Sequence, residues 1–157
     1  MSMAFLAQPE QQQTLEWLDG GTFSVLLDSE ATDGQLTVGR FDVAKGEAPP
    51  FHMHTREDEI FMLIKGEALL WLGEEQTAME LSEGGIVYLP RDIPHGYRIT
   101  SDTADLLMIT TPGGIEGMFR HAGRDIATPR PKDFVITPER LAEAGEKYGQ
   151  IILGPPR

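Results

Sequence analysis

The chain has 157 residues, 40% of them hydrophobic, and a formal net charge of −12; this is the size and composition of one globular domain able to bury a core without covalent staples. It has no cysteine, which excludes a disulfide scaffold, a thiol nucleophile, a cysteine-type zinc site and an iron–sulfur cluster. With 25 Asp and Glu against 13 Lys and Arg, nucleic acid and anionic membrane surfaces are poor partners, because both attract basic surfaces.

The first ten residues, Met1 to Glu10, have neither a basic start nor a long apolar run. No signal peptide is read there, and the expectation is a cytoplasmic protein. No stretch approaches the roughly 18 to 20 apolar residues of a membrane span. From Trp17 to Thr111 short apolar runs alternate with turn signals, the pattern of an all-β sandwich or barrel. The predicted strands are Thr22–Leu27, Leu36–Val43, Ile60–Ile64, Glu67–Leu72, Ile86–Leu89, His95–Thr100 and Asp105–Ile109. Breakers such as Asp33-Gly34, Lys45-Gly46, Pro49-Pro50, Lys65-Gly66 and Gly84-Gly85 separate them. Two helices follow. Gly114–Ala122 carries Ile115, Met118 and Phe119 at helical spacing. The second starts at Thr137-Pro138-Glu139, an N-cap, a first-position proline and a first-turn acid, and runs to about Tyr148. Between them Ala127–Lys132 reads as a linker, and the tail Ile151-Ile152-Leu153 is apolar before Gly154-Pro155-Pro156.

Four histidines exist: His52, His54, His95 and His121. His52 and His54 are spaced i, i+2, which in a strand puts both rings on one face. Glu59 follows after a polar stretch, and His95 stands just beyond Pro90 and Pro94. Three neutral imidazoles and one carboxylate suit a divalent first-row metal and leave coordination positions open. Taken singly, each could equally be a satisfied polar residue. His121, with no partner at ligand spacing, reads as a solvated surface histidine.

The wider spacing is more specific. Residues 46 to 66 read Gly46-x5-His52-x-His54-x4-Glu59-x6-Gly66, and residues 84 to 95 read Gly84-x5-Pro90-x4-His95. These resemble the two motifs of the cupin family, in order and over roughly residues 20 to 112. Two positions of the second motif depart: Asp92 stands where the family has Gly, and Ile99 where it has Asn. The resemblance implies an all-β jelly-roll barrel with the metal inside, ligated by His52, His54, Glu59 and His95. It implies one cupin domain over 1–157, the barrel at about 20–112 and a C-terminal helical extension at about 113–157. The runs His54-Thr55-Arg56-Glu57-Asp58-Glu59, Thr110 to Gly117 and Lys147 to Pro156 are similar to single-domain bacterial cupins described as quercetin (flavonol) dioxygenase-like.

That resemblance implies a metal-dependent dioxygenase acting on a small aromatic or enolisable substrate. Its cofactor is one divalent ion, Fe, Mn, Ni or Cu, with zinc as a further option, and O2 is co-substrate. Glu59 has two open roles, ligand and general base. The alternatives are a zinc cyclase, isomerase or lyase, and a ligand-binding cupin without turnover. A homodimer is expected by analogy. The period of two carries Phe61 and Leu63 inward with Glu59, and Tyr97 and Ile99 with His95. Phe61, Tyr97 and Ile99 are therefore the first pocket candidates, with Phe51 and Met108 beside them. Met118 and Phe119 either cap the pocket mouth or pack outside the barrel. Trp17 and Trp71 read as packing or interface residues, and Arg56-Glu57-Asp58 as a solvated turn.

Overall fold

A computed structural model describes residues 3–157. The strands are β1 (Gln13–Glu16), β2 (Thr22–Leu27), β3 (Thr37–Ala44), β4 (Phe51–His54), β5 (Asp58–Lys65), β6 (Ala68–Leu72), β7 (Met79–Leu81), β8 (Ile86–Leu89), β9 (His95–Ile99), β10 (Thr103–Thr111), β11 (Arg124–Asp125) and β12 (Gln150–Gly154). Two helices, α1 (Glu116–Ala122) and α2 (Pro138–Tyr148), complete the chain. The strands form two antiparallel sheets, ordered β11-β1-β2-β3-β10-β5-β8 and β12-β4-β9-β6-β7. This is the all-β jelly roll with short C-terminal helices that the sequence predicts.

Alternation of side chains explains the layering. Thr37, Gly39, Phe41 and Val43 of β3 point inward, as do Ala104, Leu106, Met108 and Thr110 of β10. From the other sheet Ala68, Leu70, Tyr97 and Ile99 meet them in one core. Each buried Phe or Leu there stabilises the fold by roughly 1.5–3 kcal/mol. Gly39 makes room for one of them: a Cβ at that position would stand 2.1 Å from the Phe23 ring. Phe23 in turn stacks on Phe119 of α1 at 3.8 Å, and Trp17 lies 4.6 Å from the same ring. These contacts fasten α1 to the barrel.

A buried carboxylate fastens it a second time. Glu116 accepts hydrogen bonds from the Ser29 amide and hydroxyl, from the Thr37 hydroxyl at 2.6 Å and from the Gly114 amide at 3.0 Å. Burial works to raise the Glu116 carboxyl, but the Ser29 and Thr37 donors outweigh it and hold it below its ordinary range. Helix α2 begins as its sequence predicts: the Thr137 hydroxyl caps the Arg140 amide at 3.1 Å, and Pro138 takes the first position. It ends at Gly149, whose φ of 80° turns the chain straight into β12.

Five strands were not among the predicted ones: β1, β4, β7, β11 and β12. All are short, and β4 and β12 interrupt their apolar residues with histidine, glutamine or glycine, which blurs the period of two. The tail is therefore part of a sheet: Gln150, Ile151 and Ile152 pair with His54, Met53 and His52. Among the described residues no helix is long and apolar enough to cross a membrane.

Candidate metal centre

Strand β4 is the centre of the site. It lies between β12 and β9, and its one registered pair with β9 sets His52 opposite His95. The His52 and His95 rings are 4.5 Å apart, and His54, two residues along the same face, is 4.9 Å from His52. Glu59, near the start of β5, reaches in from the facing sheet. Its Oε1 is 3.3 Å from His95 Nε2 and its Oε2 is 3.6 Å from His54 Nε2. All four side chains are buried. The structure thus brings together the four residues singled out by their spacing.

The hydrogen bonds fix which nitrogen carries a proton. His52 Nδ1 lies 2.6 Å from the Pro50 carbonyl, and His95 Nδ1 lies 3.0 Å from the Ile93 carbonyl. A carbonyl only accepts, so each Nδ1 donates, and in the neutral ring this leaves Nε2 as the ligand atom. His95 Nε2 and Glu59 Oε1 are both buried without a hydrogen-bond partner. A lone pair facing a carboxylate, out of reach of water, is costly unless a cation stands between them. One ligand atom from each of His52, His54 and His95 can be chosen so that all lie within 4.8 Å of one another.

The protonation states agree. Burial, reinforced by His95 and His54, holds His52 well below the usual imidazole range. Burial also lowers His54, against the pull of Glu59. Glu59 is raised by its own burial, but His54 and His95 outweigh this and keep it below the usual carboxylate range. A neutral imidazole at His52 and at His54 and an ionised carboxylate at Glu59 are forms that bind a divalent metal.

Asp92 holds β4 from the loop side. Its amide donates to the His54 carbonyl at 2.8 Å, and its φ of 66° is left-handed. That is the position where the resembling motif has glycine, so the turn geometry survives the change of residue.

A small cavity opens beside the cluster, lined by Phe61, Tyr97, Met108, Met118 and Phe119 among others. The space in it free for water-sized molecules is about 40 Å³, room for about three waters. Met118 and Phe119 face into it. Two expected wall residues do not line it. Phe51 points away from His52 by strand alternation, and the Arg157 guanidinium covers its ring at 3.8 Å. Ile99 lies further down β9 than Tyr97 and is 1% exposed within the barrel core.

Sequence reading missed other wall residues. Trp17, read as packing, lines the cavity, as do Leu18, Leu141 and Gln150. Gln150 sits opposite His54 only because β12 joins the sheet, and nothing in its local sequence signals that pairing. The solvated turn at Arg56-Glu57-Asp58 needs correction. Arg56 is exposed and Asp58 pairs with Arg91 at 3.2 Å, but Glu57 is 4% exposed. Burial pushes the Glu57 carboxyl up to about 7. Counting back two from Glu59 would have placed it inward. A second buried acid, Glu47, accepts the Tyr97 hydroxyl at 3.2 Å. Burial, helped by the charge of Asp19 and opposed by the Tyr97 bond, pushes Glu47 up to about 7. His121 is at the surface as expected, its Nε2 3.6 Å from Glu143.

Comparison with known proteins agrees with this geometry. Residues 39–112 match the family model described as Cupin domain. The chain is 31% identical over 75 residues to quercetin 2,3-dioxygenase of Aspergillus japonicus, a match covering 46% of this chain and 21% of that protein. It is 24% identical over 124 residues to quercetin 2,3-dioxygenase of Bacillus subtilis (strain 168), covering 77% of this chain and 36% of the relative. The chain therefore spans about a fifth and about a third of these two relatives. Among solved structures, KdgF from Halomonas sp. superposes with a TM-score of 0.63 at 16% identity, over 71% of this chain and 96% of that one. The polyketide cyclase RemF from Streptomyces resistomycificus gives 0.60 at 20% identity, over 83% and 89%. At such identities these two likenesses speak to the fold.

Proposed function

This chain is a member of the cupin superfamily, and from that premise we propose that it is a metal-dependent dioxygenase of small aromatic or enolisable molecules. The observation that supports the metal is the buried convergence of His52, His54 and His95 on Glu59, with His95 Nε2 and Glu59 Oε1 3.3 Å apart and neither satisfied by a hydrogen bond. The dioxygenase reading draws its support from the two quercetin 2,3-dioxygenases among the relatives.

His52, His54, His95 and Glu59 would hold the ion. A divalent first-row metal bound there supplies Lewis acidity toward a substrate oxygen. The chain's own residues do the rest. The carbonyls of Pro50 and Ile93 fix the His52 and His95 rings with Nε2 inward. Glu59, ionised and beside the cavity, receives the proton of a substrate hydroxyl or enol. Phe61, Met108, Met118 and Phe119 hold the apolar body of the substrate and keep water from the electron-rich carbon it exposes. With dioxygen as co-substrate, both of its atoms pass into the product.

The test is elemental analysis of untagged protein purified without chelators, followed by oxygen uptake with flavonols and other enolisable aromatics. One equivalent of Fe, Mn, Ni or Cu per chain with substrate-dependent uptake is expected. Zinc as the sole metal after expression in iron- and manganese-rich medium, with product formed under argon, replaces the dioxygenase with a non-redox cyclase, isomerase or lyase. Metal-free protein that does not rebind any of these ions removes the reading altogether.

The chain is further proposed to pair as a homodimer. The outer face of the larger sheet supports this: Ile86 and Tyr88 are 66% and 60% exposed and stand in register with Met62 and Ile60. A monomer mass in analytical sedimentation removes this proposal.

A further inference from the structure

The polar side chains around the cavity differ in their partners. His52, His54, Glu59 and His95 form the cluster, and Tyr97 gives its hydroxyl proton to Glu47 at 3.2 Å. Outside the cluster, two side-chain donors lining the cavity have no partner among the described residues, the Trp17 indole and the Gln150 amide. Of these, Gln150 is the one in register with a histidine of the cluster, because β12 sets it opposite His54. Residues directly opposite in an antiparallel pair carry their side chains on the same face, with Cβ atoms about 4.5–5.5 Å apart.

Gln150 is held there from two sides. It is 7% exposed. Strand β4 flanks it on one side, and Gly145 of α2 lies over it on the other. A Cβ at Gly145 would stand 3.3 Å from Gln150 Cβ and 3.6 Å from its Nε2, so the missing side chain lets the amide lie under the helix. Neither the oxygen nor the nitrogen of that amide is among the wholly enclosed unpaired atoms. Both therefore border free space. A buried amide is costly to leave unpaired, and a ligand in the cavity supplies what the fold does not.

We propose that Gln150 determines which ligands the centre accepts, its Nε2 donating a hydrogen bond to a compact monoanion held beside the cluster. This rests on the metal-centre reading above. The charge follows from the ligand set: a divalent ion beside one ionised carboxylate leaves one net positive charge, and in a buried site a single negative charge is its complement. The size follows from the free space of about 40 Å³, which admits a ligand of about three heavy atoms without rearrangement. A charged acceptor also strengthens the bond from the amide. In the reaction proposed above, the same donor meets the substrate oxygen once its proton has passed to Glu59.

The experiment uses the whole chain and azide as the probe. In cobalt-loaded protein the visible bands of the ion report azide binding. Gln150→Met keeps an unbranched side chain of similar length and removes the donor. It should weaken azide by about tenfold or more, the loss of one hydrogen bond to a charged group. Cobalt affinity, read by competition with a chelator, should stay as it is. A second measurement needs no variant to fold and uses zinc-loaded protein. The chain has seven glutamines and no asparagine, so its side-chain amide spectrum is simple, and selective labelling of glutamine with relaxation by cobalt picks out the pair nearest the ion. That pair should shift when azide is added. Unchanged azide binding in Gln150→Met, or an amide pair that azide leaves in place, overturns the inference and leaves the metal centre standing. An amide turned to the outer recess beside Thr55 and Glu146 gives that second result. Cobalt-loaded protein that does not respond to azide overturns it as well. So does a loss of cobalt affinity in Gln150→Met, which makes Gln150 a support of the ligands. Cobalt binding unaffected by His52→Ala and His95→Ala overturns the metal centre and this inference with it.

Discussion

His52 and His95 face each other across the β4–β9 pair, and each donates its Nδ1 proton to the carbonyl two residues before it, Pro50 and Ile93. The same local device on two strands aims two Nε2 lone pairs at one point. In metal-free protein at neutral pH both rings should therefore be the Nδ1–H tautomer. Long-range nitrogen–proton correlation spectra of the imidazoles check this. Nε2–H signals for either ring contradict it.

Removing one ring leaves the others lined up on Glu59 with a ligand missing. His95→Ala should lower zinc affinity by more than about 100-fold, beyond what loss of a supporting partner costs. Competition with a chromophoric chelator measures it. His121→Ala, at the surface, should leave the affinity as it is.

Protons compete with metal for the imidazoles. Burial lowers His52 and His54 below the ordinary 6.5, so that competition begins only under that value. The part of the loss of zinc affinity on acidification that His52 and His54 contribute should fall below pH 6.5. A decline already complete at pH 7 is the opposite outcome.

Glu47 has the reverse sign. Its folded carboxyl is raised from 4.5 to about 7, so the folded chain holds the proton longer than the unfolded chain does. That stability is present below 4.5 and is lost as pH rises to about 7. Glu47→Gln keeps an oxygen for the Tyr97 hydroxyl and has no charge to bury. It should raise stability at pH 8 by on the order of 2–3 kcal/mol and change little at pH 4. Thermal melts at the two values decide it.

Glu116 is held below 4.5 by its donors, so its contribution exists above 4.5 and disappears as pH falls through the lowered value. Glu116→Ala strands the Ser29 and Thr37 donors, at about 2–4 kcal/mol. Urea unfolding measures the loss. Because α1 carries Met118 and Phe119, the variant should also weaken binding in the cavity.

The four converging residues were legible in the sequence because two spacing patterns coincided, one framed by Gly46 and Gly66 with two His and a Glu, the other running from Gly84 through Pro90 to one His. The long strands were legible because their alternation is regular. Tyr97 and Phe61 followed from counting by two, a count that also carried Ile99, which lies in the core below the cavity. What stayed hidden depends on distant pairing. Gln150 reaches the cavity because β12 adds itself beside β4, and Trp17 because Phe119 draws α1 over the barrel end. Glu57 was hidden by composition: a run of charges reads as solvated, and local composition outweighed the strand parity that turns it inward.

Strand β12 also guards the sheet. It is the edge strand beside β4, and an open edge offers unpaired amides and carbonyls to any extended chain nearby. Its pairing is irregular between Ile152 and Gly154, and Pro155 and Pro156 follow. An irregularity bends the ladder and prolines cannot donate to it, so further strands find no straight template. Stripped of β12, the strand bearing His52 and His54 would itself become the edge. The lesion to expect from damage at this end is then self-association into insoluble β-rich material, with the ligand-bearing strand as its seed.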